Sequence, residues 1–76
     1  MEELIAILEQ IRPECDFRNA KHMTQEGMLD SFDIISLVSC LDERYRISID
    51  GMDIVPENFD SLEAIKDLLR RYGVEL

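Results

Sequence analysis

Apolar residues recur every three or four positions at the start of the chain, and charged residues occupy most of the positions between them. The stripe consists of Leu4, Ile5, Leu8 and Ile11. This spacing predicts an amphipathic helix that runs to about Arg12. Pro13 should end it, because proline has no backbone N–H and disfavours helical geometry in the residue before it.

A second helical stripe begins near the middle of the chain, after a polar segment. Its members are Ile34, Ile35, Val38, Leu41 and Tyr45. The pattern predicts a second helix with Asp30 as its N-cap. Residues 14–27 are polar with weak periodicity, and we expect them to form an ordered loop.

The last third of the chain predicts one short helix and one long helix. Ile47 and Ile49 alternate as in a strand, but no second strand is available, so residues 46–51 should be an extended loop. Residues 53–58, around Pro56, suit one helical turn. The final stripe consists of Leu62, Ile65, Leu69 and Tyr72.

The ends of this last helix also carry signals. Asp60 and Glu63 have the spacing of a capping box, and Gly73 suits the position just past the helix end. The sequence therefore predicts an all-α fold, a small bundle of three main helices plus one short helix, in a single domain over residues 1–76.

The charge balance narrows the classes of partner. The 76 residues include 17 acidic and 8 basic side chains, a formal net charge of -9, which opposes binding to nucleic acid or an anionic membrane. No apolar run approaches the roughly 18 residues of a membrane span. Cys15 and Cys40 are too few for a disulfide framework, and the acidic start lacks a secretory signal. We expect a cytoplasmic monomer that does not insert into membranes.

Two near copies of an Asp-Ser-apolar triplet are the main candidates for chemistry. They are Asp30-Ser31-Phe32 and Asp60-Ser61-Leu62, and helix capping alone explains most triplets of this kind. Ser31 follows Gly27-Met28-Leu29 and precedes a helix that is nearly uncharged through Cys40, so its hydroxyl should lie beside an apolar rim. Ser61 opens a helix with a charged face and should be solvated.

The setting of Ser31 resembles a known family. Leu29-Asp30-Ser31-Phe32-Asp33-Ile34-Ile35, with Leu37-Val38 and the segment 41–49, is similar to the second helix and following loop of acyl and peptidyl carrier proteins. The segment 54–65 is similar to the third and fourth helices of free-standing carriers. The resemblance implies that Ser31 carries 4′-phosphopantetheine, with Asp30 as the flanking N-cap. It also implies that a cargo is held as a thioester on the terminal sulfur of that arm, not on Cys15 or Cys40.

The resemblance implies a free-standing carrier that is not an enzyme. Its partners would be a phosphopantetheinyl transferase, a loading ligase or acyltransferase, and a downstream acceptor enzyme. The residues expected to dock these partners are Leu29, Phe32, Ser36, Ser39, Asp42, Glu43 and Ile54. Fatty-acid carriers usually have acidic or Met side chains where this chain has the neutral Ser36 and Ser39, which argues against a role in primary fatty-acid synthesis.

Other functions remain open at the level of sequence. In a helical adaptor without a prosthetic group, Ser31 would merely cap a helix, and the face from Ile34 to Tyr45 would bind another protein. A serine hydrolase would need a base, and His22 is the one imidazole in the chain. We expect no metal site: His22, Cys15 and Cys40 lack ligand spacing, and residues 50–53 lack the ligand order of a calcium loop.

Overall fold

The chain folds into helices joined by structured turns. The computed structural model describes residues 2–75, so Met1 and Leu76, the ends of the predicted domain, lie outside the described residues. The elements are α1 (Glu2–Ile11), α2 (Ser31–Tyr45), a 3-10 helix (Gly51–Asp53), a second 3-10 helix (Pro56–Phe59) and α3 (Leu62–Arg71). Residues 2–75 contain no strand, which confirms the all-α class; two 3-10 helices stand where one short helix was expected.

All three α-helices and the long loop contribute side chains to one core. The fully buried side chains include Leu4, Leu8, Phe17, Met23, Leu37, Leu41, Phe59, Ile65, Leu68 and Leu69. Phe17 and Met23 come from the loop between α1 and α2, so core contacts hold this segment in place. The predicted stripe on α2 was partly wrong, because Ile35 is 58% exposed whereas Leu37 is buried.

The end of α3 has the predicted glycine. Gly73 adopts a φ of 85°, and its N–H donates to the Arg70 carbonyl at 3.0 Å. The Val74 N–H donates to the Leu69 carbonyl at 3.0 Å, which completes a Schellman motif. Glycine suits this position because a left-handed backbone carries no Cβ penalty there.

The start of α3 differs from the prediction. Ser61 is the N-cap, and its Oγ accepts a hydrogen bond from the Ala64 N–H at 3.0 Å. The predicted capping box of Asp60 and Glu63 is therefore wrong, and so is the expectation that Ser61 is merely solvated. The carboxylate of Asp60 does not cap α3 because the loop between α1 and α2 occupies it.

The contacts of Asp60 fix this loop beside the start of α3. The Asp60 carbonyl accepts from the Met23 N–H at 2.6 Å. Its Oδ1 accepts from the Thr24 N–H at 3.0 Å and from the Thr24 hydroxyl at 2.6 Å. The His22 Nδ1 lies 3.1 Å from Asp60 Oδ2. One residue thus joins two segments that are far apart in sequence.

None of the helices within residues 2–75 has the length and apolar composition that crossing a bilayer requires.

Acidic residues are concentrated in one stretch of the chain. Residues 47–65 include Asp50, Asp53, Glu57, Asp60 and Glu63 and no basic residue.

We expect added salt to raise the melting temperature. The net charge is -9 and residues 47–65 are acidic, so negatively charged side chains repel one another in the folded state. Added ions screen that repulsion. Thermal scans in low-salt buffer, and in the same buffer with sodium chloride or millimolar magnesium chloride, measure the shift. A midpoint that stays constant or falls would contradict the prediction.

Candidate functional site

The first turn of α2 is closed by a pair of carboxylates. Asp30 Oδ1 accepts from the Asp33 N–H at 2.9 Å, and Asp33 Oδ2 accepts from the Asp30 N–H at 3.1 Å. This reciprocal pair is a capping box, and it confirms Asp30 as the N-cap. Leu29 and Ile34 occupy the flanking positions of a hydrophobic staple, and both are buried in the core.

Ser31 is the first residue of α2 and is exposed. Because Asp30 supplies the cap, the Ser31 hydroxyl is not used to close the helix. Within residues 2–75 no group forms a hydrogen bond with this hydroxyl, and the backbone N–H groups of Ser31 and Phe32 also have no partner. The site therefore presents an available hydroxyl next to two donors at the positive end of the helix dipole.

The two Asp-Ser triplets divide their roles in opposite ways. In the first, the aspartate caps the helix and Ser31 is available. In the second, Ser61 caps the helix and Asp60 binds the loop. The Ser61 hydroxyl is consequently engaged by its own helix, at 3.0 Å from the Ala64 nitrogen.

A shallow cleft of about 370 Å³ lies beside Ser31. Thr24, Gln25, Leu29, Asp30, Ile34 and Pro56 line the cleft together with Ser31. The loop between α1 and α2 forms one wall, so the contacts of Asp60 with that loop also shape the surroundings of the serine. The cleft is open to solvent and does not reach through the core, whose central side chains are fully buried.

Most of the residues expected to dock partners lie on the surface of α2. Phe32 is 81% exposed, and Ser36, Ser39 and Glu43 are also exposed. Their spacing of three or four residues places them on one face of the helix. Ile35 adds a second exposed apolar side chain, which the sequence prediction had assigned to the buried stripe.

Three expected docking residues have other surroundings. Leu29 is only 2% exposed, so its side chain belongs to the core and the expectation that it docks partners is corrected. The reason is its place in the staple before the helix, which turns it inward. Asp42 is half-buried, and its Oδ1 accepts from the Ile49 N–H at 3.0 Å. Ile54 is half-buried against the core.

Asp60 has the most strongly perturbed carboxyl near the site. The hydroxyl of Thr24 donates to it, and this bond, aided by His22 and the backbone N–H of Thr24, outweighs partial burial and lowers the pKa of Asp60 to about 2. The Asp60 carboxylate is therefore charged at neutral pH. His22 contacts Asp60 and forms no hydrogen bond with Ser31 among the described residues.

Comparison with known proteins identifies no relative: no family model, curated protein or solved structure matches the chain significantly.

Cys15 and Cys40 are free thiols, both half-buried. Within residues 2–75, His, Cys, Asp and Glu side chains form no group of three or more that is placed to hold a metal ion.

Proposed function

We propose that the protein is a free-standing acyl or aminoacyl carrier that is modified on Ser31 with 4′-phosphopantetheine. The observation that carries the proposal is the exposed hydroxyl of Ser31 at the first position of α2, in a helix that Asp30 caps in its place. This arrangement supports modification, because Ser31 can be esterified without removing the cap. The similarity of the surrounding sequence to carrier proteins supplies the identity of the group.

The residues around Ser31 fit a phosphodiester. The N–H groups of Ser31 and Phe32 have no partner in the described part of the chain, and they offer hydrogen bonds to an anion at the positive end of the helix dipole. The cleft beside Ser31 offers partly apolar surface to the adjoining arm. When bound, the group supplies a terminal thiol on which a cargo is held as a thioester.

Attachment would require a separate transferase. The Ser31 oxygen forms a new bond to phosphorus, the pyrophosphate bond of coenzyme A breaks, and the nucleotide half leaves while the hydroxyl proton passes to a base of the transferase. His22 is engaged with Asp60, which favours a carrier over a serine hydrolase for this chain. In this proposal the chain itself catalyses no reaction.

Intact mass spectrometry tests the proposal directly. Incubation with coenzyme A, magnesium and a promiscuous phosphopantetheinyl transferase should add one phosphopantetheine group, and peptide mapping should place it on Ser31. Failure of the intact protein to gain this mass with several transferases would overturn the proposal. Reaction with a fluorophosphonate probe at Ser31 would instead support a hydrolase.

The second candidate is a helical adaptor without a prosthetic group. The exposure of Phe32 and Ile35 on α2 favours an apolar contact with another protein. A carrier uses the same face, so docking alone does not separate the two functions. The mass measurement separates them, because an adaptor remains unmodified in cells that contain an active transferase.

We expect the protein to be a poor substrate for enzymes of primary fatty-acid synthesis. Ser36 and Ser39 leave the exposed face of α2 neutral between Phe32 and Glu43, and complementary charge mainly speeds encounter with a basic partner. The double substitution Ser36→Glu with Ser39→Glu should therefore increase turnover by a fatty-acid partner at low ionic strength. Added salt should reduce the gain.

Turnover of the loaded carrier, measured at two salt concentrations, checks this prediction. Ser48→Glu is a suitable control, because Ser48 is exposed but lies after the end of α2. Equal turnover of the wild-type protein and the double variant would show that the neutral face carries no information about the partner.

A further inference from the structure

One arginine connects the end of α1 to both carboxylates that flank Ser31. The Arg12 Nε and Nη2 each lie 2.8 Å from Asp33 Oδ2. Arg12 Nη2 also lies 3.4 Å from Asp30 Oδ2, and Nη1 lies 3.3 Å from Glu14 Oε2. The guanidinium therefore holds the capping box of α2 from outside the helix.

The charges around Ser31 make this contact important for an anionic group. Asp30 and Asp33 occupy the positions one before and two after Ser31, so an anion on the Ser31 oxygen meets two nearby carboxylates. Partial burial of Asp33 tends to raise its pKa, but the hydrogen bond from Arg12 and the backbone bond from Asp30 outweigh burial, so the pKa lies below its ordinary value. Asp33 is therefore charged at neutral pH, and the Arg12 guanidinium contacts the carboxylates on both sides of Ser31.

We propose that Arg12 is a positioning residue for the Ser31 site. It keeps Asp30 and Asp33 directed at the capping box and offsets their charge, so that a phosphodiester on Ser31 can lie against the N–H groups of Ser31 and Phe32. Arg12 acts through the two carboxylates and is not itself the attachment point. The inference rests on the proposed function, because it concerns the same serine.

The chain offers a matched control for this role. Arg44 lies near the opposite end of α2 and pairs with Glu3 of α1, so it joins the same two helices as Arg12 does. It is 13 residues from Ser31, about 20 Å along the helix axis. Arg12→Gln and Arg44→Gln each remove one positive charge. Arg44→Gln removes the pair with Glu3, whereas Arg12→Gln removes the contacts with Asp30 and Asp33, so only Arg12→Gln alters the surroundings of Ser31.

The first measurement is the rate of phosphopantetheine attachment with coenzyme A and a promiscuous transferase at low ionic strength. We expect phosphopantetheine attachment to Arg12→Gln to be about threefold to tenfold slower than attachment to the wild-type protein, because an uncompensated carboxylate repels the incoming anion. Arg44→Gln should stay within about a factor of two. Arg12→Lys should recover part of the rate, since it restores charge without the two-nitrogen contact. Melting temperatures of all variants control for loss of folding.

The second measurement does not involve the transferase. In the wild-type protein, attachment should move the amide proton resonances of Ser31 and Phe32 downfield, because those N–H groups become hydrogen-bonded to the phosphodiester. The downfield change should be smaller in loaded Arg12→Gln and unchanged in loaded Arg44→Gln. A purely structural role for Arg12 would lower the melting temperature without altering this difference.

The outcomes separate the two proposals. If the wild-type protein gains no phosphopantetheine, the proposed function fails. If it is modified, but Arg12→Gln reacts equally fast with the same amide shifts, only the role of Arg12 fails. Equal slowing in Arg12→Gln and Arg44→Gln would assign the effect to general α1–α2 packing and would also overturn the role of Arg12.

Discussion

Ser31→Ala is expected to abolish phosphopantetheine attachment while leaving the fold intact. The Ser31 hydroxyl is the proposed acceptor of the new phosphorus–oxygen bond, and alanine has no oxygen at that position. The hydroxyl makes no hydrogen bond within residues 2–75, and Asp30 continues to cap α2. Its removal should therefore change the free energy of unfolding by less than about 0.5 kcal/mol. Intact mass after incubation with a transferase, and a thermal scan, measure the two effects.

Ser61→Ala is the matched control, because it alters the other Asp-Ser triplet. It should be modified at the normal rate on Ser31. It should also destabilise the protein by about 1 kcal/mol, since it removes the N-cap bond to the Ala64 N–H. The two serines thus have opposite expected phenotypes: one affects modification and the other affects stability. Modification that survives in Ser31→Ala but disappears in Ser61→Ala would show that the wrong serine was chosen.

Asp60→Asn is expected to cause the largest loss of stability among the polar substitutions considered for this chain. The Asp60 carboxylate accepts from the Thr24 hydroxyl and N–H and from the Gln25 N–H, and it also contacts His22. Asparagine removes the negative charge and keeps only one acceptor oxygen. Its NH₂ donor replaces Oδ2, which accepts from the Gln25 side-chain amide at 3.3 Å. We expect the melting temperature to fall by about 5–10 °C at pH 6.

The effect of Asp60→Asn should depend on pH. The pKa of Asp60 is about 2 in the folded protein, against an ordinary value of 3.8. Because folding lowers this pKa, the charged carboxylate stabilises the protein fully well above pH 3.8 and loses its contribution as the pH falls towards 2. The difference in melting temperature between the two proteins should therefore shrink between pH 6 and pH 2.

Thermal scans by circular dichroism at several pH values between 2 and 6 check this dependence. Glu9→Gln serves as the control, because Glu9 is exposed on α1 and its loss also removes one negative charge. Its effect on the melting temperature should be small at every pH. A gap for Asp60→Asn that is as wide at pH 2 as at pH 6 would contradict the assignment of the stabilisation to the charged carboxylate.

The pattern of apolar residues predicted the three α-helices because each one buries a single stripe, and helical periodicity is a local property. The cap of α2 was equally accessible from sequence. Asp30 and Asp33 are three residues apart, so their capping box forms within one turn and needs no distant partner. Gly73 marked the end of α3 for the same reason, since a left-handed residue there follows from local backbone geometry.

The sequence pattern was less informative where burial depends on neighbouring elements. Ile35 belongs to an apolar helix and is predicted to be buried, but its side chain is 58% exposed, and no element within residues 2–75 covers its face of α2. Leu29 precedes the helix and is predicted to dock partners, but it is only 2% exposed and belongs to the core. Hydrophobicity alone does not tell which side of a helix the rest of the chain covers.

The sequence by itself determined the helical class, the position of α2 and the candidacy of Ser31, because these depend on spacing and on residues within one turn of each other. Only the tertiary structure decided which of the two Asp-Ser triplets presents an available hydroxyl. Asp60 binds Thr24, a residue 36 positions away, and so leaves the capping of α3 to Ser61. Asp30 caps α2 with Arg12 held 3.4 Å away, and Ser31 stays available. The two near-identical triplets acquire different roles because their carboxylates meet different distant partners.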